Sequence, residues 1–145
     1  MIIGITGGSG CGKTTLLRQI EKAGCLILDC DAIYHHPLKS DAAMLASIDK
    51  RFPGTVEKGE LNRKKLGTIV FADEAALLDL NAITHAAVKR EVLRRLECQP
   101  ALAAIDAIGL FEGGLAEACD ITVAVIAPAE DRVRRIMARD GISED

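Results

Sequence analysis

The chain has 145 residues, 49% of them hydrophobic and 27% charged, with a formal charge of −3. This is the balance of an ordinary soluble globular domain, and one able to bury roughly 70% of the surface it exposes unfolded. Aromatic residues make up only 3% and Trp is absent, so the stacking faces that single-stranded nucleic acid requires are missing, and the negative charge argues against a general nucleic-acid or membrane-surface binder. The cysteines at 11, 25, 30, 98 and 119 are odd in number and lack zinc-type spacing, so reduced thiols in a cytoplasmic protein are expected, with neither a disulfide framework nor a structural metal. No basic leader precedes residue 2, and the longest apolar stretch, Ile121–Ala129, is too short to span a bilayer.

Ile2-Ile3-Gly4-Ile5-Thr6 reads as a short buried strand. A glycine-rich turn and a helix from about Gly12 to Ala23 follow, and Gly24 suits the helix stop. Cys25-Leu26-Ile27-Leu28 is a second continuous apolar strand, closing on Asp29-Cys30-Asp31. Strand, helix and strand within thirty residues predict a βαβ unit and a parallel sheet buried on both faces. From about 37 to 98 helical periodicity dominates, punctuated by Pro37 and Pro53-Gly54. Between Glu74 and Glu97 the apolar residues Leu77, Leu78, Leu80, Ile83, Ala87, Val88, Val92 and Leu96 fall mostly three and four apart, which predicts a long helix within a helical insertion. Sheet character returns at Ala101–Ala107 and Ile121–Ile126, and Pro128 opens a helix through about Ala138. Ser143-Glu144-Asp145 has the pattern of a cap and acidic first turn. With a helix beginning where the sequence stops, the chain reads as shorter than a complete domain.

Gly7-Gly8-Ser9-Gly10-Cys11-Gly12-Lys13-Thr14 satisfies GxxxxGK[ST] at every required position. Glycines let backbone amides turn inward around phosphate oxygens, and the following helix aims its positive end at them. Lys13 would bridge β- and γ-phosphates of ATP, Thr14 would offer its hydroxyl to Mg²⁺, and Thr15 would support the α-phosphate side. Asp29 and Asp31 stand at the carboxyl edge of the second strand, where open α/β sheets bind ligands; either is also a natural cap for a following helix. Asp106 ends a run of small apolar residues and suits a metal partner as well as it suits an ordinary strand end. His85 reads as a packed or surface histidine, and His35-His36 lack further ligands at metal spacing. The basic clusters at 63–65, 89–90, 94–95 and 132–139 read first as solvated helix faces, and second as islands for one small polyanion.

Beyond the loop, the residues resemble the dephospho-coenzyme A kinase family. The resemblance runs through LILDCDAI, GELNRKKLGTIVF at 59–71, LNAITH at 80–85, LFEGGLAEACD at 110–120 and RIMARDGIS at 135–143. It implies an α/β P-loop kinase fold, truncated here before the last strand and lid helix. It further implies a nucleotide-binding core at 1–36 and 99–128, a helical acceptor-binding insertion at 37–98, and the start of a lid at 129–145. The implied reaction is ATP-dependent, Mg²⁺-assisted phosphorylation of the 3′-hydroxyl of dephospho-coenzyme A, a small-molecule partner. The implied donor cradle is Gly8, Ser9, Gly10, Cys11, Gly12, Lys13, Thr14 and Thr15, with Thr14 toward the metal. Asp31 matches the base, Arg63 and His85 the acceptor side, and Arg139 a lid arginine that neutralises the transferring phosphoryl group. The sequence departs from the family pattern in having Ala86 where a proline is usual, and Ile108-Gly109 where the family has proline and leucine. Other readings stay open on the sequence alone: a uridine-, gluconate- or shikimate-type kinase, or an inactive nucleotide-binding fragment. A GTP switch or a transport subunit lacks its NKxD or LSGGQ segment.

Overall fold

The structure is a computed structural model describing residues 1–141, so the cap pattern at Ser143-Glu144-Asp145 lies outside the described residues. The chain divides into two compact units, one made of Met1–Asp29 with the chain from Cys98 onward, the other of Cys30–Glu97.

The first unit is built on β1 (Ile2–Thr6) and α1 (Lys13–Lys22), then β2 (Leu26–Asp29). After the second unit's helices it resumes with two further strands, Ala103–Asp106 and Ile121–Ala124, and a helix at Ala129–Asp140. All pairings in the sheet are parallel. Burial is uneven across it: Ile2–Thr6 and Ala103–Asp106 are largely covered, whereas Ile121–Ala124 is exposed throughout, so the expected burial on both faces holds only for the central strands. Ile3, Ile5 and Ile27 pack with Cys25 and Ala104 against Leu16, Leu17 and Ile20 of α1, whose spacing places them on one helical face. Gly4 points the other way. A Cβ there would stand 2.8 Å from both the Cys119 sulfur and a Leu110 methyl carbon, and Leu110 is fully buried. The strand ends are in register at the carboxyl edge: Ile5 faces Asp106, Asp29 faces Asp106, and Thr6 faces Ala124.

The second unit comprises α2 (Cys30–His35), a 3₁₀ turn at 37–40, α3 (Ala42–Arg51), the strands β3 (Val56–Glu57) and β4 (Glu60–Leu61), α4 (Arg63–Val70) and α5 (Glu74–Leu96). The two strands in the first unit are therefore β5 (Ala103–Asp106) and β6 (Ile121–Ala124), and its last helix is α6 (Ala129–Asp140). The sheet order is β2-β5-β1-β6. In the second unit, α5 packs against α2, α3 and α4. Ala76, Ala87, Val88 and Val92 are its buried positions, whereas Leu78, read as part of the apolar stripe, is 63% exposed. The antiparallel β3–β4 hairpin is an addition to the expected helical insertion. Its two-residue turn has Lys58 at φ 53° and Gly59 at φ 79°, the left-handed pair that matches strand twist in a type I′ hairpin. Asn62 then accepts from the Lys65 amide at 3.1 Å and caps α4, so GELNRKK is a turn, a strand, a cap and a helix start in succession.

Among the described residues, no helix is long and apolar enough to cross a membrane, and no group of three or more His, Cys, Asp or Glu could hold a metal ion.

Candidate active site

The connection from β1 leaves toward β2, while the chain after β5 returns past β1 to β6, so the crevice between β1 and β5 is the topological switch point of the sheet. Open parallel sheets bind ligands at such points, beyond the carboxyl ends of their strands. The loop 7–12 leaves β1 there. Gly10 has φ 76° and Gly12 φ 104°, values that an L-residue reaches only with strain. Gly12 is also the N-cap of α1, with no side chain bonded to the helix end and no acid in the first turn. The amides of Gly10, Gly12, Lys13 and Thr14 accordingly have no acceptor within the described protein. Unpaired amides at a helix start, with the helix dipole behind them, are complementary to an anion.

Lys13, the first residue of α1, donates from Nζ to Asp106 Oδ1 at 2.9 Å, both side chains being about 15% exposed (15% and 14%). Strand register delivers Asp106 to this place, because Asp106 sits beside Ile5 and one residue short of the end of β1. Thr14 and Thr15 follow on the exposed first turn of α1. Cys11 is buried, and a Cβ on Gly7 would meet its sulfur at 2.9 Å.

The loop also receives two arginines from α6 that sequence reasoning did not place. Arg132 Nε donates to the Ser9 carbonyl at 3.0 Å and Arg135 Nη1 to the Gly10 carbonyl at 3.1 Å. Their one sequence signal is the basic run of 132–139, which is equally typical of a solvated helix face. Arg139 makes a different contact: its Nε and Nη2 donate to the Asp140 carboxylate at 2.6 and 2.9 Å, which holds that carboxyl below its ordinary range.

The second unit carries the remaining candidates. Asp31 lies in the first turn of α2, two residues past β2, with its side chain 86% exposed and its Oδ1 3.5 Å from His35 Nε2. Arg63 is exposed at the start of α4, and His85 is half-buried on α5. Neither side chain makes a hydrogen bond or ion pair among the described residues. Most other cations of the basic clusters are engaged. Lys65 donates to the Gly54 carbonyl at 2.6 Å, Arg90 pairs with Asp41 at 3.2 Å, and Arg94 and Arg95 share Glu91 at 2.8 Å.

A parallel sheet with this strand order, a GxxxxGKT loop at its switch point and a lysine at the head of the following helix define a protein of the P-loop nucleoside-triphosphate-binding class. The comparison with known proteins narrows the class. The family model described as dephospho-CoA kinase matches residues 1–145. The dephospho-CoA kinase of Corynebacterium diphtheriae is 35% identical, with 99% of this chain and 75% of the relative covered. That of Thermus thermophilus is 38% identical over 100% of this chain and 70% of the relative. Among solved structures, TT1252 from Thermus thermophilus superposes with a TM-score of 0.77 at 35% identity, covering 99% of this chain and 74% of that one. The dephospho-CoA kinase from Campylobacter jejuni does so with a TM-score of 0.63 at 27% identity, covering 98% and 74%. The chain belongs to the dephospho-CoA kinase family, the kinases of the final step of coenzyme A synthesis, and spans about three quarters of the length of these relatives.

Proposed function

We propose that the chain moves the γ-phosphoryl group of ATP onto the ribose 3′-hydroxyl of dephospho-coenzyme A, with the following division of labour. On the donor side, the amides of Gly8 to Thr15 receive the β- and γ-phosphate oxygens, and the Lys13 ammonium exchanges its Asp106 partner for them. Lys13 then follows the charge as it builds on the β–γ bridging oxygen. On the acceptor side, the Asp31 carboxylate accepts the proton of the 3′-hydroxyl as that oxygen bonds to the γ-phosphorus and the bond to the ADP oxygen breaks. The exposure of Asp31 supports this role, since the carboxylate is open to a substrate hydroxyl. Arg63 and His85 bind the acceptor's phosphates, and Arg139 serves the transferring group from the end of α6, which begins the lid.

The residues present fit Mg²⁺. Thr14 and Asp106 offer one hydroxyl and one carboxylate, and Mg²⁺ is typically held by one or two protein oxygens with phosphate and water completing its shell. When bound, the ion neutralises charge on the phosphate oxygens. The scattered cysteines without disulfide-framework spacing support action in the reducing cytoplasm, and the charge of −3 supports a small-molecule partner over a nucleic acid.

The observation that carries this reading is the amide-lined loop at the switch point, in a chain whose whole length matches one kinase family. ADP release measured with MgATP and, side by side, dephospho-coenzyme A, uridine or gluconate tests it. Acceleration by dephospho-coenzyme A alone, with phosphorus NMR placing the new phosphate at the 3′ position, is expected. Acceleration by uridine or gluconate instead refutes it. Asp31→Asn is expected to lower turnover about 10²- to 10⁴-fold while leaving ATP affinity in place; a large loss of ATP affinity would move Asp31 to the donor side.

A further inference from the structure

We propose that Arg132 and Arg135 are positioning residues for the phosphate loop, acting through its backbone. Across a trans peptide the carbonyl and the next amide point in opposite directions. A donor fixed on the Ser9 carbonyl therefore turns the Gly10 amide to the other side of the loop, and one on the Gly10 carbonyl turns that of Cys11. Arg132 and Arg135 supply these two donors, at 3.0 and 3.1 Å. Gly10 N has no acceptor in the described protein, and Cys11 N makes only a long 3.4 Å contact with the Gly8 carbonyl. Both amides are thus held outward from the arginines and available to phosphate.

Two further observations support a built contact over a chance meeting of flexible side chains. The loop accommodates α6 through its residue types: a Cβ on Gly8 would meet Arg132 Nη2 at 2.5 Å, and one on Gly10 would meet the Arg132 carbonyl oxygen at 2.7 Å and its Cα at 3.1 Å. Second, the acids of α6 leave these two cations alone. Asp131 pairs with Arg134 and Asp140 with Arg139, while Arg132 and Arg135, three apart on one helical face, carry no carboxylate among the described residues. Two un-neutralised guanidinium groups spent on neutral carbonyls fix the loop and add positive potential beside it.

The inference rests on the loop holding the phosphates of ATP, as proposed above. Its test is equilibrium binding of ADP and ATP, each with Mg²⁺, to the wild type and to Arg132→Ala, Arg132→Gln and Arg135→Ala, with thermal unfolding alongside. The amides serve phosphate groups common to both nucleotides. Each alanine variant is therefore expected to weaken ADP and ATP by the same factor, about fivefold to tenfold, with the unfolding midpoint kept. Because the glutamine amide nitrogen coincides with the arginine Nε that makes the bond, Arg132→Gln is expected to restore affinity to within about twofold of wild type. In turnover, KM for ATP rises by that same factor while kcat holds. A larger loss for ATP than for ADP would assign the arginines to direct γ-phosphate contact and overturn the proposal. So would Arg132→Gln behaving like alanine, or a fall in unfolding midpoint with affinity intact. Failure of the wild type to bind either nucleotide would count against the loop reading itself.

Discussion

Asp106→Asn separates the two tasks given to one carboxylate. In the structure Asp106 Oδ1 takes the Lys13 ammonium at 2.9 Å, with the side chains 15% and 14% exposed. An exposed pair contributes about 0–1 kcal/mol, while removing one partner of a fully buried pair costs about 3–5 kcal/mol. Asparagine keeps an acceptor oxygen in place, and a charge-assisted bond is roughly twice as strong as a neutral one. The substitution should therefore cost about 1–1.5 kcal/mol of folding stability, seen as a drop of about 3–5 °C in unfolding midpoint. The same energy no longer has to be surrendered when Lys13 turns to phosphate, so ADP binding without Mg²⁺ should tighten about fivefold to tenfold. Turnover should move the other way, with a higher Mg²⁺ concentration needed for half-maximal rate, because a metal partner has been lost. Isothermal titration with ADP in chelator, then a Mg²⁺ titration of initial rates, reads both arms. Unchanged or weaker Mg²⁺-free binding would refute the idea that Asp106 competes with phosphate for Lys13. An unchanged Mg²⁺ requirement would remove Asp106 from the metal.

Three other expectations follow from local geometry. Gly10→Ala puts a side chain at φ 76° against the Arg132 backbone, and should weaken nucleotide binding at least tenfold at a cost of about 2 kcal/mol, read by calorimetry and urea unfolding. Asp41 caps α3 through the Met44 amide at 2.6 Å and also takes Arg90, so Asp41→Ala should lose about 1–2 kcal/mol in urea unfolding, and Arg90→Ala distinctly less. Glu91, drawn down to about 2 by its bonds from Arg94 and Arg95, contributes stability that is complete above its unfolded value near 4.5 and is lost as pH falls toward 2. Because its partners are exposed, that contribution is on the order of 1 kcal/mol. Glu91→Gln should therefore lower stability at pH 7 and flatten the acid limb of the stability–pH curve.

The phosphate loop was legible because its requirements are local: glycines for inward amides, then a lysine and threonine opening a helix. The strands were legible for a related reason, since parallel strands covered on both faces read as unbroken apolar runs such as Ile2–Thr6 and Ala101–Ala107. What escaped was decided by partners distant in sequence. Arg132 and Arg139 look alike in a basic run, yet one meets the Ser9 carbonyl and the other its neighbour Asp140. Asp106 could be narrowed only by strand register, which puts it beside Ile5 and within reach of Lys13. The hairpin at Val56–Leu61 was missed because its turn carries Lys58-Gly59 in place of the usual Asn-Gly, and Lys58 takes the left-handed conformation against its own preference. Leu78 joined the apolar stripe by spacing but faces solvent, as periodicity identifies a helix face without saying how far its cover extends.

The sheet order has a consequence for how the protein is made. β1 has β5 and β6 as neighbours, and β2 has only β5. During synthesis from the N-terminus, then, neither of the first two strands has a partner until residue 103 has emerged. The intervening helices of Cys30–Glu97 have their own interior and can condense earlier. The loop encoded by residues 7–14 stays without Asp106, and then without Arg132 and Arg135, until the ribosome is well past each of them. The loop's surroundings thus close only after the whole second unit has been made, since each of these three partners lies downstream of it.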